Sequence, residues 1–492
     1  YYLSLPSFRS NPMTDSLNFE RTHPLYDEML PVYRRNADLY TGGHTVERAF
    51  GASGHAAGPA PGSMPGHVAN KYLTRHPLEK DEQYAIRVRR AAYRNYAAPI
   101  VDLFSSSVTD GVDRQGVARI SRLDPLLRDC DRQGNTPERF FKDVITRAAA
   151  VGVEFVLIDM PEAAAPAFTE AEARLSGLLP YFVRIPAENI IAWDFAPDGS
   201  LDWAVQRETC LEAAGPFEAY QTIKVITLWR KDGWERYVSR GGGPFEPAGG
   251  GEHTLGRVPI VPFIYERESA MTGRGVTDDV ASLIIRVFNQ DSEMDKMLFD
   301  AAVPLLVAYG VDEEGEEVLQ RASSSLWRFS GADTRLEYVE TSGASYSAKR
   351  QQTLDDIDSI REISLRQTRP RGAQVESAEA RRLDAVQISS QLADFARNAA
   401  ASERLCWELA ASYLGEPAAS LAELEIKYNG CFDPESVREK LTESYLELRR
   451  NGDLSRETLW RQIGLNDEQI RLEKELLAAE STLQTLSADN AV

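Results

Sequence analysis

Few residues of this 492-residue chain combine type and spacing in a way that could do chemistry. Asp355-Asp356-Ile357-Asp358 could gather a divalent cation. Its spacings of one and three on an amphipathic helix equally describe a solvated face. Asp278-Asp279 reads as a helix start, with the carboxylates at the positive end of the dipole. Five of six histidines (His23, His44, His55, His67, His76) fall before residue 77 among glycines and prolines. They lack the H-x-x-x-H spacing that would put two imidazoles on one helix face. There is no G-x-x-x-x-G-K-[ST] phosphate loop, no G-x-S-x-G elbow and no H-E-x-x-H helix. No catalytic set and no cofactor are expected, metal ions included, and the chain does not read as an enzyme.

Two further clusters carry charge rather than catalysis. Asp312, Glu313, Glu314, Glu316 and Glu317 make an acidic turn. Arg369 and Arg371 flank Pro370, with Gly372 next, and Arg381 and Arg382 follow shortly. These arginines either pair with acidic helices or stay in water. Pro370 lacks an amide and disfavours helix at Arg369, while Gly372 permits a sharp reversal. Ser377 is placed to cap whatever helix follows.

The elements that must position these clusters are three long helical patterns. The first runs from Val276 to about Ala301, with Val280, Leu283, Ile284, Val287, Met294, Met297 and Leu298 at helical spacing and Thr277 or Asp278 as its cap. The second covers roughly Tyr346–Gln367, with Leu354, Ile357, Ile360 and Ile363 on a drifting apolar face. The third starts near Ala378 and repeats apolar or small residues through Ala385, Ile388, Leu392, Phe395, Ala399, Ser402, Cys406, Leu409 and Tyr413. That seam suits packing along another helix. Between the first two lie strands at Val303–Gly310, Leu326–Phe329 and Leu336–Val339.

Upstream, helices are predicted at Leu25–Tyr40, at Glu82–Thr109 with arginines on its outer face, and at Thr136–Gly152. The Gly- and Pro-rich stretch 41–68 reads as a loop. A run of short strands follows, from Val153–Asp159 to Ile260–Tyr265. Downstream, Leu424–Tyr428 is a lone strand that could return to that sheet. Helices then start at Asp433, Leu454 and Asn466. The length calls for two to four substructures, and 43% hydrophobic with 26% charged residues is a folded composition. No apolar run approaches the twenty residues of a membrane span. Residues 1–12 lack a basic n-region and read as an upstream extension rather than a signal peptide. Cys130, Cys210, Cys406 and Cys431 sit far apart and are expected to be buried thiols.

This order of parts resembles that of tailed-bacteriophage portal proteins, the head-to-tail connector family. The resemblance spans roughly Leu25–Glu480. It includes Pro180-Tyr181, Asn189-Ile190-Ile191-Ala192-Trp193 and Val258-Pro-Ile-Val-Pro-Phe263 as wing elements. It implies an α+β portal fold with these parts: a wing over 1–275, a first stem helix over 276–301, a small αβ clip over 302–343 and a second stem helix over 344–367. A tunnel loop over 368–377, a long helix and returning strand over 378–432, and a helical crown over 433–492 would complete it. The implied function is a homo-oligomeric ring, a dodecamer, at one capsid vertex of the virion, assembled in the host cytoplasm. It would serve DNA packaging, genome retention and ejection.

In that family setting, Arg369, Pro370, Arg371 and Gly372 would form the loop nearest DNA. Arg381 and Arg382 would be secondary contacts, touching phosphates without reading sequence. Glu313, Glu314, Glu316 and Glu317 would dock partners. Implied partners are terminase, head-completion or adaptor proteins, major capsid and scaffolding proteins, and double-stranded DNA, with no membrane. A net charge of −20 argues against a general DNA binder but suits an acidic wall past which a duplex slides. Two rivals stand beside this reading: a metal-dependent hydrolase using the acidic clusters, and a non-channel structural adaptor.

Overall fold

The computed structural model describes residues 18–51, 71–161, 179–213, 215–301, 305–309, 335–339, 344–365, 378–429, 471 and 474. Helix α1 (Pro24–Gly51) is bent at Gly42, whose φ of 30° and ψ of −99° lie outside the helical region. A Cβ at Gly42 would sit 2.2 Å from the Tyr93 ring, so only glycine fits both the turn and the contact. The helix therefore continues to residue 51, beyond the Tyr40 end that the Gly-Gly pair suggested.

The expected helix over Glu82–Thr109 is two helices, α2 (Asp81–Arg90) and α3 (Ala97–Thr109). Pro99 explains the break, because its ring in a continuous helix would clash with the carbonyl of Asn95. The Asn95 side chain instead accepts the Ala98 amide at 2.9 Å. After the short strand β1 (Asp113–Gln115), helix α4 (Pro137–Val151) begins with proline at its first turn. Thr136 occupies the cap position, but its hydroxyl makes no cap bond. Gly152, at φ 117°, turns α4 directly into β2 (Val153–Asp159).

Strand β2 is the centre of a three-stranded antiparallel sheet, flanked by β3 (Tyr181–Pro186) and β9 (Ile260–Ile264). Its residues from Val153 to Ile158 are buried, as a strand covered on both faces must be. The next sheet is a five-stranded antiparallel meander. Its strands are β4 (Ile190–Phe195), β5 (Leu201–Glu212), β6 (Gln221–Arg230), β7 (Gly233–Arg240) and β8 (Glu246–Glu252). Strand β8, Glu-Pro-Ala-Gly-Gly-Gly-Glu, has no apolar alternation and was not legible in the sequence. Its glycines let the Trp234 ring lie against them.

A small hairpin, β10 (Glu266–Arg267) with β11 (Gly273–Arg274), leads to helix α5 (Ala281–Ala301). Strands β12 (Leu305–Tyr309) and β13 (Arg335–Val339) pair antiparallel, Leu305 opposite Val339. Helix α6 (Ala344–Leu365) packs on α5, and the 36-residue α7 (Ala378–Tyr413) returns to the body. Strand β14 (Glu425–Lys427) pairs with β1, not with either large sheet. The architecture is α+β, with helices packed against one end of antiparallel sheets.

The seam on α7 is buried within the monomer. Leu392, Phe395, Ala399, Cys406 and Leu409 are all buried. They pack mainly on β9, β2 and β14 and on α3, rather than along one partner helix. A sheet face is a wider apolar surface than a helix groove, which accounts for the seam's length. Cys130 and Cys406 are buried, Cys210 is exposed on β5, and Cys431 lies outside the described residues.

Candidate functional site

The α5–α6 hairpin and its attachment to the body form the region where the chain's unassigned polar groups concentrate. Near the base, Val280, Ile284 and Val287 and, on α6, Ile357 and Ile360 are all buried in one apolar cluster. Farther along, polar pairs take over. Arg286 forms an ion pair with Asp356, whose other oxygen accepts Gln290 Nε2 at 2.9 Å. Lys349 pairs with Glu293. Residue numbers rise on α5 as they fall on α6, so the helices are antiparallel. The tip of the hairpin leads into β12 and out of β13.

Asp278 anchors the base. Its Oδ1 accepts Asn36 Nδ2 at 2.5 Å and Arg35 Nη2 at 2.8 Å, and its Oδ2 accepts the Gly275 amide at 3.2 Å. It therefore ties α1 to the start of α5 and does not cap the helix forward. Thr277 Oγ1 has no partner, so it is no cap either. Arg35 and Asn36, distant in sequence, occupy Oδ1 and the preceding Gly275 amide occupies Oδ2, so the carboxylate is turned away from the amides of the helix that follows. Asp279 lies outside, paired with Arg274 at 2.6 Å.

Four consecutive polar residues, Asn289 to Ser292, leave three buried side chains in mid-helix: Gln290, Asp291 and Ser292. Asn289 reaches the other way, accepting the Thr74 amide at 2.7 Å and donating to the Tyr72 carbonyl at 2.9 Å. Arg94 Nε lies 3.3 Å from Asp291 Oδ2, and burial pushes the Asp291 carboxyl above its ordinary value. Beside them, Arg87 of α2 holds Glu79 through two bonds, Nε–Oε1 at 2.9 Å and Nη2–Oε2 at 2.7 Å. The Arg87 guanidinium lowers the Glu79 pKa. Arg87 is thus buried, where the sequence put the arginines of this stretch on the outer face. Sequence periodicity missed the whole belt because polar residues were assigned to solvent by default.

In the body, Glu403 of α7 is fully buried and fully partnered. It accepts Arg114 Nε at 2.6 Å, Arg114 Nη2 at 3.2 Å, Trp407 Nε1 at 3.0 Å and the Tyr428 hydroxyl. This cluster welds α7 to β1 and to the chain after β14. Glu154, on the central strand, is buried beside Arg184 at 3.1 Å. Desolvation raises its pKa from 4.5 to about 8, with the Arg184 cation opposing.

The expected metal cluster does not converge. Asp356 faces α5, whereas Asp355 accepts Gln351 at 2.9 Å and Asp358 pairs with Arg361 at 3.1 Å on the exposed side. Among the described residues no three His, Cys, Asp or Glu side chains gather as metal ligands. His23 stacks on Trp193 with centroids 4.4 Å apart, and His76 accepts the Leu78 amide at 3.2 Å. Arg369, Pro370, Arg371 and Gly372 lie outside the described residues, between α6 and α7. Glu313, Glu314, Glu316 and Glu317 also lie outside them, between β12 and β13. Arg381 and Arg382 fall on the first turns of α7, where the backbone alone is described. Among the described residues no helix is long and apolar enough to cross a membrane.

Residues 278–414, from the start of the hairpin to the end of α7, match the model of a domain of unknown function (DUF4055). No curated protein matches the chain. Among solved structures, a chain in the neck of an empty GTA particle computed with C6 symmetry is similar at 14% identity and a TM-score of 0.38. That likeness covers 81% of this chain and 97% of the other. A chain in the neck of a native GTA particle computed with C12 symmetry is similar at 14% identity and a TM-score of 0.36, covering 81% and 98%. Likenesses at these scores transfer no role to this chain.

Proposed function

We propose that this chain is one subunit of a ring-shaped portal, a channel at a capsid vertex through which DNA is packaged, held and ejected. The observation that carries the reading is the order and packing around α5 and α6. Two antiparallel helices of 21 and 22 residues join the body at one end and lead into a two-stranded sheet at the other. Each spans about 30 Å. The chain then passes through residues 366–377 into α7, which lies on the body's sheet. That is the stem, clip, stem, tunnel-loop and long-helix order of portal proteins. A non-channel adaptor has no need of such a helix pair.

In this reading the body over 1–275 is the wing, 302–343 the clip, 368–377 the tunnel loop and 433–492 the crown. Rings of the virion, dodecameric and assembled in the host cytoplasm, dock terminase, head-completion proteins, and major capsid and scaffolding proteins. Glu313, Glu314, Glu316 and Glu317 serve the docking of a packaging motor, since an acidic turn disfavours phosphate. Arg369 and Arg371, with Arg381 and Arg382 behind them, form a cationic collar in an otherwise acidic channel. A few weak phosphate contacts per subunit centre DNA without reading its sequence. The chain itself performs no chemistry.

The test combines mass and image. Light scattering and end-on images of protein taken from assembled particles should give a ring many times the 54.8 kDa chain mass. Replacing Arg369 and Arg371 together with alanine should leave rings intact and change genome packaging or retention. Strictly monomeric protein in particles would sink the ring. Normal packaging by the double variant would remove the loop's role.

A further inference from the structure

A cavity of about 190 Å³ opens between α2 and the outer half of α5. Its rim is apolar and exposed: Ile86 is 53% and Phe299 55% accessible, and neighbouring Leu298 is 48%. Two lining side chains are more than nine-tenths buried yet each has an atom without a partner. Arg87 is 6% exposed and has no acceptor for Nη1, and Ser292 is 3% exposed with no partner for Oγ. Leaving such groups unmatched costs about 1–3 kcal/mol each. The site is therefore incomplete in the single chain. Its exposed rim calls for an apolar group.

Its lining also carries charge. Arg90 and Lys296 line it beside Asp295, while Arg87, the third lining cation, is already held by Glu79; the whole chain carries a net charge of −20. Arg90 stacks over the Phe299 ring at 4.3 Å, and no described carboxylate pairs with it. Copies of so acidic a chain repel one another, so they meet most easily where one presents a cationic patch.

The matching surface is on α6. Gln351, Leu354, Asp355 and Asp358 lie on the face turned away from α5, opposite the inward Thr353, Asp356, Ile357 and Ile360. Leu354 is 45% exposed with Asp355 beside it. Arg361 on the same face is taken up by Asp358 at 3.1 Å, exposed Arg350 lies at the edge of the face one turn before Leu354, and Asp355 is held only by Gln351. Since α5 touches α2 on one side and α6 on another, the cavity and this outer face belong to different sides of one helical layer.

We infer that the α2–α5 cavity of one subunit receives the outer face of α6 from a second copy, with Leu354 against Ile86 and Phe299 and Asp355 facing Arg90. The contact is heterologous, each copy giving one surface and taking the other, and such contacts close into rings when the rotation permits. This inference rests on the ring reading above and names the two surfaces that would build it.

Charge reversal tests it. Arg90→Glu and Asp355→Arg are made singly and together, and association is read by light scattering on concentrated protein and by images of particles assembled with each variant. Both side chains are exposed, so circular dichroism and Tm should stay at wild-type values. Each single reversal should weaken association about tenfold or more, because like charges then face each other. The double variant should recover to within about threefold, since both surfaces are carried by every copy. Rings that form normally with both single variants would overturn the inference and leave the ring reading standing. Failure of the double variant to recover would overturn the pairing of these two residues. A wild type that is monomeric even in particles would overturn the ring itself.

Discussion

The body and the α5–α6 hairpin use opposite solutions to the same problem of joining helices. In the body, α7 lies on the sheet through Leu392, Phe395, Cys406 and Leu409, and its buried Glu403 is saturated by three partners. In the hairpin, the fully buried apolar side chains of α6 lie toward the base, and polar pairs, Arg286–Asp356–Gln290 and Lys349–Glu293, set register. Apolar surface is non-directional, so it stabilises without choosing a register. Paired charges add little net stability but penalise a slip strongly. The body is thus built to be stable alone, whereas the hairpin is built to hold a shape whose outer faces still carry Leu298, Phe299 and Leu354 in water.

The strongest way to break this contrast is Glu403→Ala. It leaves Arg114 buried without its main carboxylate and removes the acceptor of Trp407 and Tyr428. A loss of about 3–5 kcal/mol in global stability is expected by denaturant titration. A loss below about 1 kcal/mol would mean that the cluster is not the weld between α7 and the sheets.

Asp356→Ala should cost less, about 1–3 kcal/mol, and its cost should be local. Arg286 is half exposed and can return to water, so only the Gln290 amide is left unmatched inside. Hydrogen exchange should quicken across α5 and α6 while α7 and β2 keep their protection. Equal acceleration in the body would show that the two regions unfold as one unit.

Glu154→Gln sharpens the comparison through pH. The folded-state pKa is raised, so below about pH 4.5 both states hold the proton. Between about 4.5 and 8 the unfolded chain releases it first, and stability falls as pH rises. The glutamine variant should lack this slope, giving a Tm gain of about a degree or two at pH 9 relative to pH 4.5. Arg184 is partly exposed and loses a partner in the variant, which keeps the gain small. An identical pH dependence of Tm in both proteins would mean that Glu154 is ionised and well solvated.

Sequence by itself determined the elements with strong periodicity. The helices α4, α5, α6 and α7 and the strands β2, β3 and β9 were legible, because apolar spacing of 3.6 or 2 reports directly which face must leave water. So was the α+β class, with helices first, then sheet, then the paired helices with strands between them. What only tertiary structure decided is where polar residues point. Glu403, Arg87 and Asp356 look like solvent residues in sequence, and each is buried because a partner far along the chain removes the cost of leaving water. Asp278 and Asp279 are adjacent and chemically alike, yet one binds α1 and the other stays outside. Strand β8, without an apolar pattern, exists because its neighbour supplies the hydrogen bonds and Trp234 covers its glycines. Long-range pairing is a property of the fold, and no local spacing encodes it.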